Sequence, residues 1–240
     1  MKVRAPESPQ LRDQFVPLFG RQDEVRTLTA ALRDRTSCLI AGPKGIGKTR
    51  LLQESLAVAE QPFVCLERPE VLHQLLAGLA ERLSCGAGRL TSISLQARTL
   101  NALRSTPCCL ILEDVARADP RMYRFLQHVY YLPGACLIVT SESRECLGHL
   151  QKLLWDPREE IMLKPLSARD ALSLFEAASA MYRLESFALE AFRCKVLTAA
   201  RGNPGQILTM CRMASRPEYQ DGRHIKFLPL RMDALTTFVS

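Results

Sequence analysis

The sequence lacks any apolar run close to the roughly 18 to 20 residues that a membrane-spanning helix needs. Its first residues, MKVRAPESPQLRDQ, do not contain the apolar block of a secretory signal. It has no internal repeat and no low-complexity segment. We therefore expect a cytoplasmic protein with no membrane partner and with a conventional packed core.

The sequence also lacks the cysteine and histidine spacing of a zinc site. Its nine cysteines are an odd number and include no C-x-x-C pair, and they are scattered singly except for the neighbours Cys108 and Cys109. This pattern indicates neither a zinc site nor a disulfide framework. Most of the cysteines lie in apolar runs, so we expect buried free thiols.

The chain has 240 residues, of which 47% are hydrophobic, enough for one large domain or for one domain with a small appendage. Its formal net charge is +7, which permits an acidic partner such as DNA. However, the 32 basic residues are spread among 25 acidic ones. A generally basic surface explains the charge as well as a DNA-binding track does.

Apolar runs of strand length alternate with helical segments through the first two thirds of the chain. This alternation predicts a doubly wound α/β fold with a mostly parallel sheet of five strands. The runs are SCLIA (37–41), FVCLE (63–67), CCLILED (108–114), CLIVTS (136–141) and EIMLKPL (160–166).

From Ser167 onward the pattern changes to amphipathic helices without strands between them, followed by a turn, a short extended piece and a last helix. We therefore predict a small all-helical lid. The predicted organisation is an N-terminal extension (1–14), an α/β core (15–166) and a helical lid with a C-terminal tail (167–240).

The stretch AGPKGIGKTR, residues 41–50, fits the pattern G-x-x-x-x-G-K-[ST] at every fixed position. A short apolar run precedes it, and the segment after it, TRLLQESLAVAE, has apolar residues at helical spacing. A strand before the loop and a helix after it place the loop's N–H groups at a helix N-terminus, where phosphate binds. We therefore predict a phosphate-binding loop rather than an ordinary turn.

The fixed residues of this loop have separate expected roles. Gly42, Gly45 and Gly47 allow tight turns and a close approach to phosphate oxygens. Lys48 should reach the β- and γ-phosphates of ATP, and Thr49 should bind Mg²⁺ through its hydroxyl. The remaining residues that we expect to contact the nucleotide here are Pro43, Lys44, Ile46 and Arg50.

The run CLILEDVARADP ends an apolar strand with Glu113 and Asp114. Acids at this point are costly unless a cation meets them, so we predict a Walker B motif; the alternative is a solvated strand end. The usual order is Asp then Glu, and here it is reversed. Glu113 then takes the metal side, and Asp114 takes the water side as the catalytic carboxylate that orients the attacking water. The shorter Asp114 side chain predicts slow turnover.

The next strand ends in Thr140 and Ser141, next to the expected position of the γ-phosphate. Hydroxyl groups at this point are typical of a sensor of bound nucleotide, so we predict that Thr140 contacts the cofactor. The alternative is that these residues only lead into a turn.

Taken in order, these motifs resemble those of AAA+ ATPases, over roughly residues 15 to 215. The nearest groups by pattern are the origin-initiator, transposition-helper and STAND ATPases. The resemblance implies a P-loop NTPase core with a helical lid, ATP and Mg²⁺ bound between them, a homo-oligomer and a protein or DNA partner. It identifies the superfamily but not the biological process.

The same resemblance assigns roles to residues outside the loop. Phe19, Gly20 and Arg21 match the box that lines the adenine pocket, although the longer VPLFGR leaves open whether Phe15 or Phe19 holds the aromatic position. Arg158 lies where initiator-type relatives carry an arginine finger, and Arg144 is a second candidate. The alternative for Arg158 is an ordinary exposed arginine.

The lid departs from the initiator pattern. Gly205 stands where a sensor 2 arginine is usual, and Gly202-Asn203-Pro204 instead matches the G-x-P motif of STAND ATPases, with Pro204 at a position suited to the start of a helix. The resemblance therefore implies nucleotide contact through Pro204 and one arginine fewer near the γ-phosphate.

Three functions fit these observations. The first is an ATPase that assembles with its own copies and remodels a partner. The second is an ATP-dependent assembly or signalling module that does not hydrolyse, which the order of the acids and the missing arginine favour. The third, a phosphotransferase, is disfavoured because the sequence has no acceptor-site signature.

Overall fold

The structure, a computed structural model, describes residues 16–59, 61–85 and 91–239. The predicted N-terminal extension (1–14) and Phe15 lie outside these residues. The elements up to the last strand of the sheet are α1 Gln22–Asp34, β1 Cys38–Ala41, α2 Lys48–Ala57, β2 Phe63–Glu67, α3 Leu72–Arg82, α4 Ser92–Ser105, β3 Cys109–Glu113, α5 Pro120–Tyr130, β4 Cys136–Ser141 and β5 Glu160–Met162. They are followed by α6 Ala168–Met181, α7 Leu189–Ala200, α8 Pro204–Ala214, β6 Gln220–Asp221, β7 His224–Ile225 and α9 Phe227–Val239.

The five strands β1 to β5 form one sheet in the order β2-β3-β4-β1-β5. Every neighbouring pair in it is parallel, which confirms the predicted fold class. Strands β2 and β4 have the predicted bounds, whereas β5 is shorter than the predicted run. After β5 the N–H of Leu163 still donates to the carbonyl of Ala41 at 2.8 Å. Pro165 then has no N–H with which to continue the ladder.

The described chain divides into two compact units. The first consists of residues 23–43 and 48–163 and contains the sheet; the second consists of residues 16–22, 44–47 and 164–239. Strands β1 and β4 are buried along their whole length. Continuous apolar strands of this kind are expected where helices cover both faces of a parallel sheet.

The second unit is built from α6 to α9 around its own apolar core, and it also contains the antiparallel pair β6 and β7. Side-chain caps fix two of its helix starts. The Ser167 hydroxyl accepts from the N–H of Asp170, and the Asn203 side chain accepts from the N–H of Gln206. The predicted helical portion is confirmed, with one short hairpin added to it.

Among residues 16–59, 61–85 and 91–239, no helix is both long enough and apolar enough to cross a membrane.

Candidate functional site

The loop between β1 and α2 depends on glycine for its turns. Gly45 and Gly47 have φ angles of 79° and 106°, in the region that favours glycine. A Cβ at Gly47 would contact nothing within 4 Å, so its requirement comes from the backbone and not from space. The N–H of Gly42 donates to the carbonyls of Ser141 and Glu142 at 3.2 and 3.1 Å. The start of the loop is thereby fixed to the end of β4.

The side chain of Lys48 is buried and lies against its own loop. Its ammonium donates to the carbonyl of Gly42 at 2.6 Å and to that of Pro43 at 3.3 Å. Burial lowers the pKa of Lys48, and the nearby Asp114 and Glu142 carboxylates oppose that shift. The carboxylates of Asp114 and Glu142 therefore lie near enough to the Lys48 ammonium to favour its charged form.

The first turn of α2 carries two more of the predicted residues. The Thr49 hydroxyl donates to Oε2 of Glu113 at 2.8 Å. Arg50 forms an ion pair with Glu54, one turn along the helix, at 3.0 Å. The structure thus brings together Thr49 and Glu113, the two residues predicted to hold a metal. The ion pair of Arg50 with Glu54 lies within α2.

Glu113 ends β3 and accepts hydrogen bonds on both carboxylate oxygens. Besides the Thr49 contact on Oε2, the thiol of Cys65 in β2 donates to Oε1 at 3.1 Å. Glu67 lies directly opposite Glu113 in the β2–β3 register. Like charges placed opposite one another in a sheet repel, and at Glu113 the two donors offset this by hydrogen bonding to both carboxylate oxygens.

Asp114 follows Glu113 in a left-handed backbone conformation with φ 55°. Its N–H donates to the Thr140 hydroxyl at 2.8 Å, and its Oδ2 accepts from Nε of Arg68 at 2.8 Å. Arg68 is also left-handed, with φ 44°, and its N–H donates to the carbonyl of Glu113 at 2.9 Å. Non-glycine residues held in this conformation cluster at functional sites.

The polar end of β4 is turned towards the segment after β3. Thr140 and Ser141 are each 1% exposed. While Thr140 accepts from Asp114, the Ser141 hydroxyl donates to the carbonyl of Val115 at 2.7 Å. Both hydroxyls therefore support the position of the acidic segment, and nucleotide sensing by Thr140 stays a prediction.

Two residues of this site, Cys65 and Arg68, were not predicted from the sequence. Both come from β2 or directly after it, and they reach the acids because β2 pairs with β3. One signal could have found Arg68: polar residues at the carboxyl ends of parallel strands meet at one edge of the sheet. Cys65 lies inside an apolar run and gives no such signal.

In the second unit, Arg21 is 4% exposed and bonded to backbone carbonyls. Its guanidinium donates to the carbonyl of Lys164 at 2.5 Å and to that of Ile46 in the loop at 3.5 Å. The predicted adenine-box arginine thus contacts the phosphate loop through its side chain.

The two residues before Arg21 belong to the packing of the second unit. Phe19 is partly buried against the core of that unit. Gly20 has φ 61°, and a Cβ on it would lie 2.5 Å from the Asp170 carboxylate. An adenine contact from this segment stays a prediction.

The start of α8 is bonded to the loop residues that belong to the same unit. The Asn203 side-chain amide donates to the carbonyl of Lys44 at 3.0 Å, and the N–H of Gly205 donates to that of Gly45 at 2.8 Å. A Cβ on Gly205 would lie 2.8 Å from both Cα and O of Gly45. Pro204 takes the first helical position, as its sequence context predicts. This close approach explains why position 205 carries no arginine.

The two candidate finger residues differ in their surroundings. Arg144 donates to Glu160 at 2.6 and 3.0 Å, and the two side chains are 20% and 15% exposed. Arg158 is 90% exposed and pairs with Asp156 at 2.7 Å. Arg144 is therefore held within its own unit, and Arg158 is the one that solvent or a partner can reach.

The side chains fit a nucleotide and a magnesium ion by their chemistry. A hydroxyl and a carboxylate are hard oxygen ligands, and Mg²⁺ in nucleotide sites takes one or two protein ligands and completes its shell with phosphate and water. The described residues contain no group of three or more His, Cys, Asp or Glu side chains able to hold a metal.

The AAA ATPase domain family matches residues 17–156. No curated protein matches the sequence.

Several solved structures share the fold at low sequence identity. Cdc6p of Pyrobaculum aerophilum has a TM-score of 0.67 at 16% identity, over 91% of this chain and 66% of its own. The Aeropyrum pernix Orc1 protein, solved in complex with DNA, has a TM-score of 0.65 at 16% identity, over 92% and 66%. A STAND protein of Pyrococcus horikoshii with a tetratricopeptide repeat sensor has a TM-score of 0.51 at 17% identity, over 94% and 33%. The chain thus spans less than two thirds of the length of these three proteins.

Proposed function

The chain belongs to the AAA ATPase domain family, and from this we propose that it binds ATP with Mg²⁺, hydrolyses it slowly and couples the nucleotide to self-assembly. The observation that carries the proposal is the 2.8 Å contact between Thr49 and Glu113. It joins the helix after the phosphate loop to the acid of β3, as a shared metal site requires.

Each residue near this contact has one proposed task. Lys48 places its positive charge on the β- and γ-phosphates, and Thr49 with Glu113 holds the metal. When bound, Mg²⁺ supplies neutralisation of the charge that develops on the phosphate oxygens. The backbone N–H groups from Lys44 to Arg50 donate to those oxygens, since this segment leads into the first turn of α2.

Asp114 is the proposed group for orienting the attacking water. The backbone N–H of Asp114 donates to the Thr140 hydroxyl, and its carboxylate accepts from Arg68 on Oδ2, so both the backbone and the side chain are held. A carboxylate that accepts the proton of a positioned water contributes about 10²–10⁴-fold to hydrolysis. The Arg68 pair competes with the water for Oδ2, which supports slow turnover.

In the second unit, we propose that Phe19, Gly20 and Pro204 contact the nucleotide. For Arg21 we propose support of the loop, since its guanidinium lies on the Ile46 carbonyl. The loop tip is also fixed by Asn203 and Gly205. These bonds favour a loop that is already ordered before phosphate binds. Binding to such a loop has a lower entropic cost than binding to a loop that must first become ordered.

The same Arg68–Asp114 pair favours a second candidate function, a nucleotide-dependent assembly module that does not hydrolyse. In that case Asp114 stays paired with Arg68 and no water is activated. The two candidates share the ATP and Mg²⁺ site, and they differ only in turnover.

For assembly we propose a further copy of this chain as the partner, with Arg158 as the residue that reaches the neighbouring copy's γ-phosphate. Its 90% exposure supports that role. A client protein or DNA is proposed as the remodelled partner, and for DNA the support is the net charge of +7. DNA binding of this kind weakens steeply as salt rises, so a salt titration with and without ATP tests it.

The decisive experiment measures ATP turnover per molecule over a wide range of protein concentration while the mass of the assembly is recorded. The Arg158→Ala variant is compared with Arg223→Ala, which removes another exposed arginine. A rise of turnover with concentration that only Arg158→Ala abolishes supports an assembling ATPase. Tight ATP binding with flat, near-zero turnover supports the non-hydrolysing module, and no ATP binding overturns both.

A further inference from the structure

Cys65 has a polar contact that its place in an apolar strand does not predict. Its partner across the β2–β3 pair is Ile111, two residues before Glu113, so Cys65 and Glu113 lie on the same face of the sheet as diagonal neighbours. The thiol donates to Oε1 of Glu113 at 3.1 Å. A carboxylate oxygen can only accept in this contact, so the thiol is the donor.

The two donors on Glu113 act on different oxygens. The Thr49 hydroxyl occupies Oε2 and the thiol occupies Oε1. A single donor leaves a carboxylate free to turn about its last torsion, which has a broad energy profile. Two donors from different elements, α2 and β2, fix the plane of the group. The carboxylate is then held in one orientation before any cation arrives.

We propose that Cys65 is a positioning residue for the divalent-cation site, whose thiol holds the Glu113 carboxylate in the orientation that presents Oε2 beside Thr49. This inference rests on the proposed function, since the cation is the one bound with ATP. It adds a residue of β2 to a site otherwise made by the phosphate loop and β3. Outer groups that orient metal ligands affect metal affinity without touching the metal.

Loss of the Cys65 thiol should affect nucleotide binding that depends on Mg²⁺ and spare nucleotide binding that does not. Removing the donor loosens Glu113 and lowers the affinity for Mg²⁺, whereas the contacts of Lys48 and the loop amides with phosphate do not involve Cys65. Cys65→Ala should therefore raise the Mg²⁺ concentration at half-saturation about two- to tenfold, as expected for the loss of one hydrogen bond. Nucleotide affinity in excess chelator should stay unchanged.

Two further variants distinguish the hydrogen bond from the volume of the side chain. Cys65→Ser keeps a donor at the same position and should restore most of the Mg²⁺ response. Cys85→Ala removes another partly buried thiol, whose contact is with the Leu83 carbonyl at 3.7 Å, and should leave the response as in the unaltered protein.

The experiment titrates Mg²⁺ into the protein in the presence of a fluorescent ATP analogue, and repeats the nucleotide titration in excess chelator. The expected result is a weaker Mg²⁺ response in Cys65→Ala alone, with the melting temperatures of the variants recorded. Three results would overturn the inference while ATP binding by the unaltered protein stands. They are an unchanged Mg²⁺ concentration at half-saturation in Cys65→Ala, an equal loss of nucleotide affinity in chelator, and a Cys65→Ser variant that responds to Mg²⁺ as weakly as Cys65→Ala. If the unaltered protein binds no nucleotide with Mg²⁺, the proposed function fails and this inference fails with it.

Discussion

Nε of Arg68 lies 2.8 Å from Oδ2 of Asp114, and both residues have left-handed backbone conformations, with φ of 44° and 55°. The side chains are 70% and 48% exposed, so the pair itself contributes little to stability. The strained conformations persist because the N–H of Arg68 is bonded to the Glu113 carbonyl and the N–H of Asp114 is bonded to the Thr140 hydroxyl. The pair therefore matters more for the proposed role of Asp114 in hydrolysis than for the stability of the fold.

Replacing Arg68 with alanine should raise ATP turnover. An exposed ion pair is worth about 0.2–1 kcal/mol, so freeing Oδ2 for water should increase turnover about 1.5- to fivefold without changing ATP affinity. Steady-state kinetics measure this, with Arg82→Ala as a control in α3. A fall in turnover would instead mean that Arg68 positions Asp114 for the reaction.

Asp114→Asn should stop hydrolysis while sparing nucleotide binding. The amide keeps the backbone bond to Thr140 but no longer accepts a proton from water, and the loss expected for such a group is about 100-fold or more. Single-turnover hydrolysis and equilibrium binding are measured on the same sample. If binding falls as much as hydrolysis, Asp114 belongs to the metal site and not to the water.

Gly205→Ala should destabilise the protein, against the trend for glycine in helices. Helix propensity alone predicts a gain of about 0.5–1 kcal/mol. The new Cβ, however, would lie 2.8 Å from the backbone of Gly45, and overpacking of this kind costs about 1–3 kcal/mol. Chemical denaturation gives the sign of the change. A more stable variant would contradict the close approach of α8 to the loop.

Arg144→Ala and Arg158→Ala should differ in stability. Removing Arg144 leaves the mostly buried Glu160 carboxylate without its cation, which should lower the free energy of unfolding by about 1–3 kcal/mol. Arg158 is 90% exposed, and its removal should leave stability unchanged. Denaturant midpoints measure both. Equal destabilisation would show that Arg158 has a structural role within its own chain.

The sequence predicted the parts of this molecule that depend on local pattern. The bounds of β2 and β4 follow from apolar runs, and the loop from Gly42 to Thr49 follows from a motif with a strand before it and a helix after it. Short apolar runs between turns are the pattern of strands in a parallel sheet that helices cover on both faces.

The remaining features depend on which elements become neighbours. Cys65 and Arg68 reach the acids only because β2 pairs with β3, and the Arg144–Glu160 pair spans two separate segments of the chain. Two acceptors of the Arg21 guanidinium are backbone carbonyls far along the chain, which no side-chain pattern marks. Tertiary contacts of this kind are not encoded by local periodicity.

We propose that Lys48 and its loop bind the phosphates of ATP, and equilibrium binding of a fluorescent ATP analogue to the Lys48→Ala variant measures this contribution. Lys152→Ala, which removes an exposed lysine, is the matched control. The affinity of Lys48→Ala for the analogue should fall about 10- to 100-fold, as expected for the loss of a hydrogen bond to a charged group, and the control should keep its affinity. Equal affinity in both variants would mean that Lys48 does not bind the phosphates.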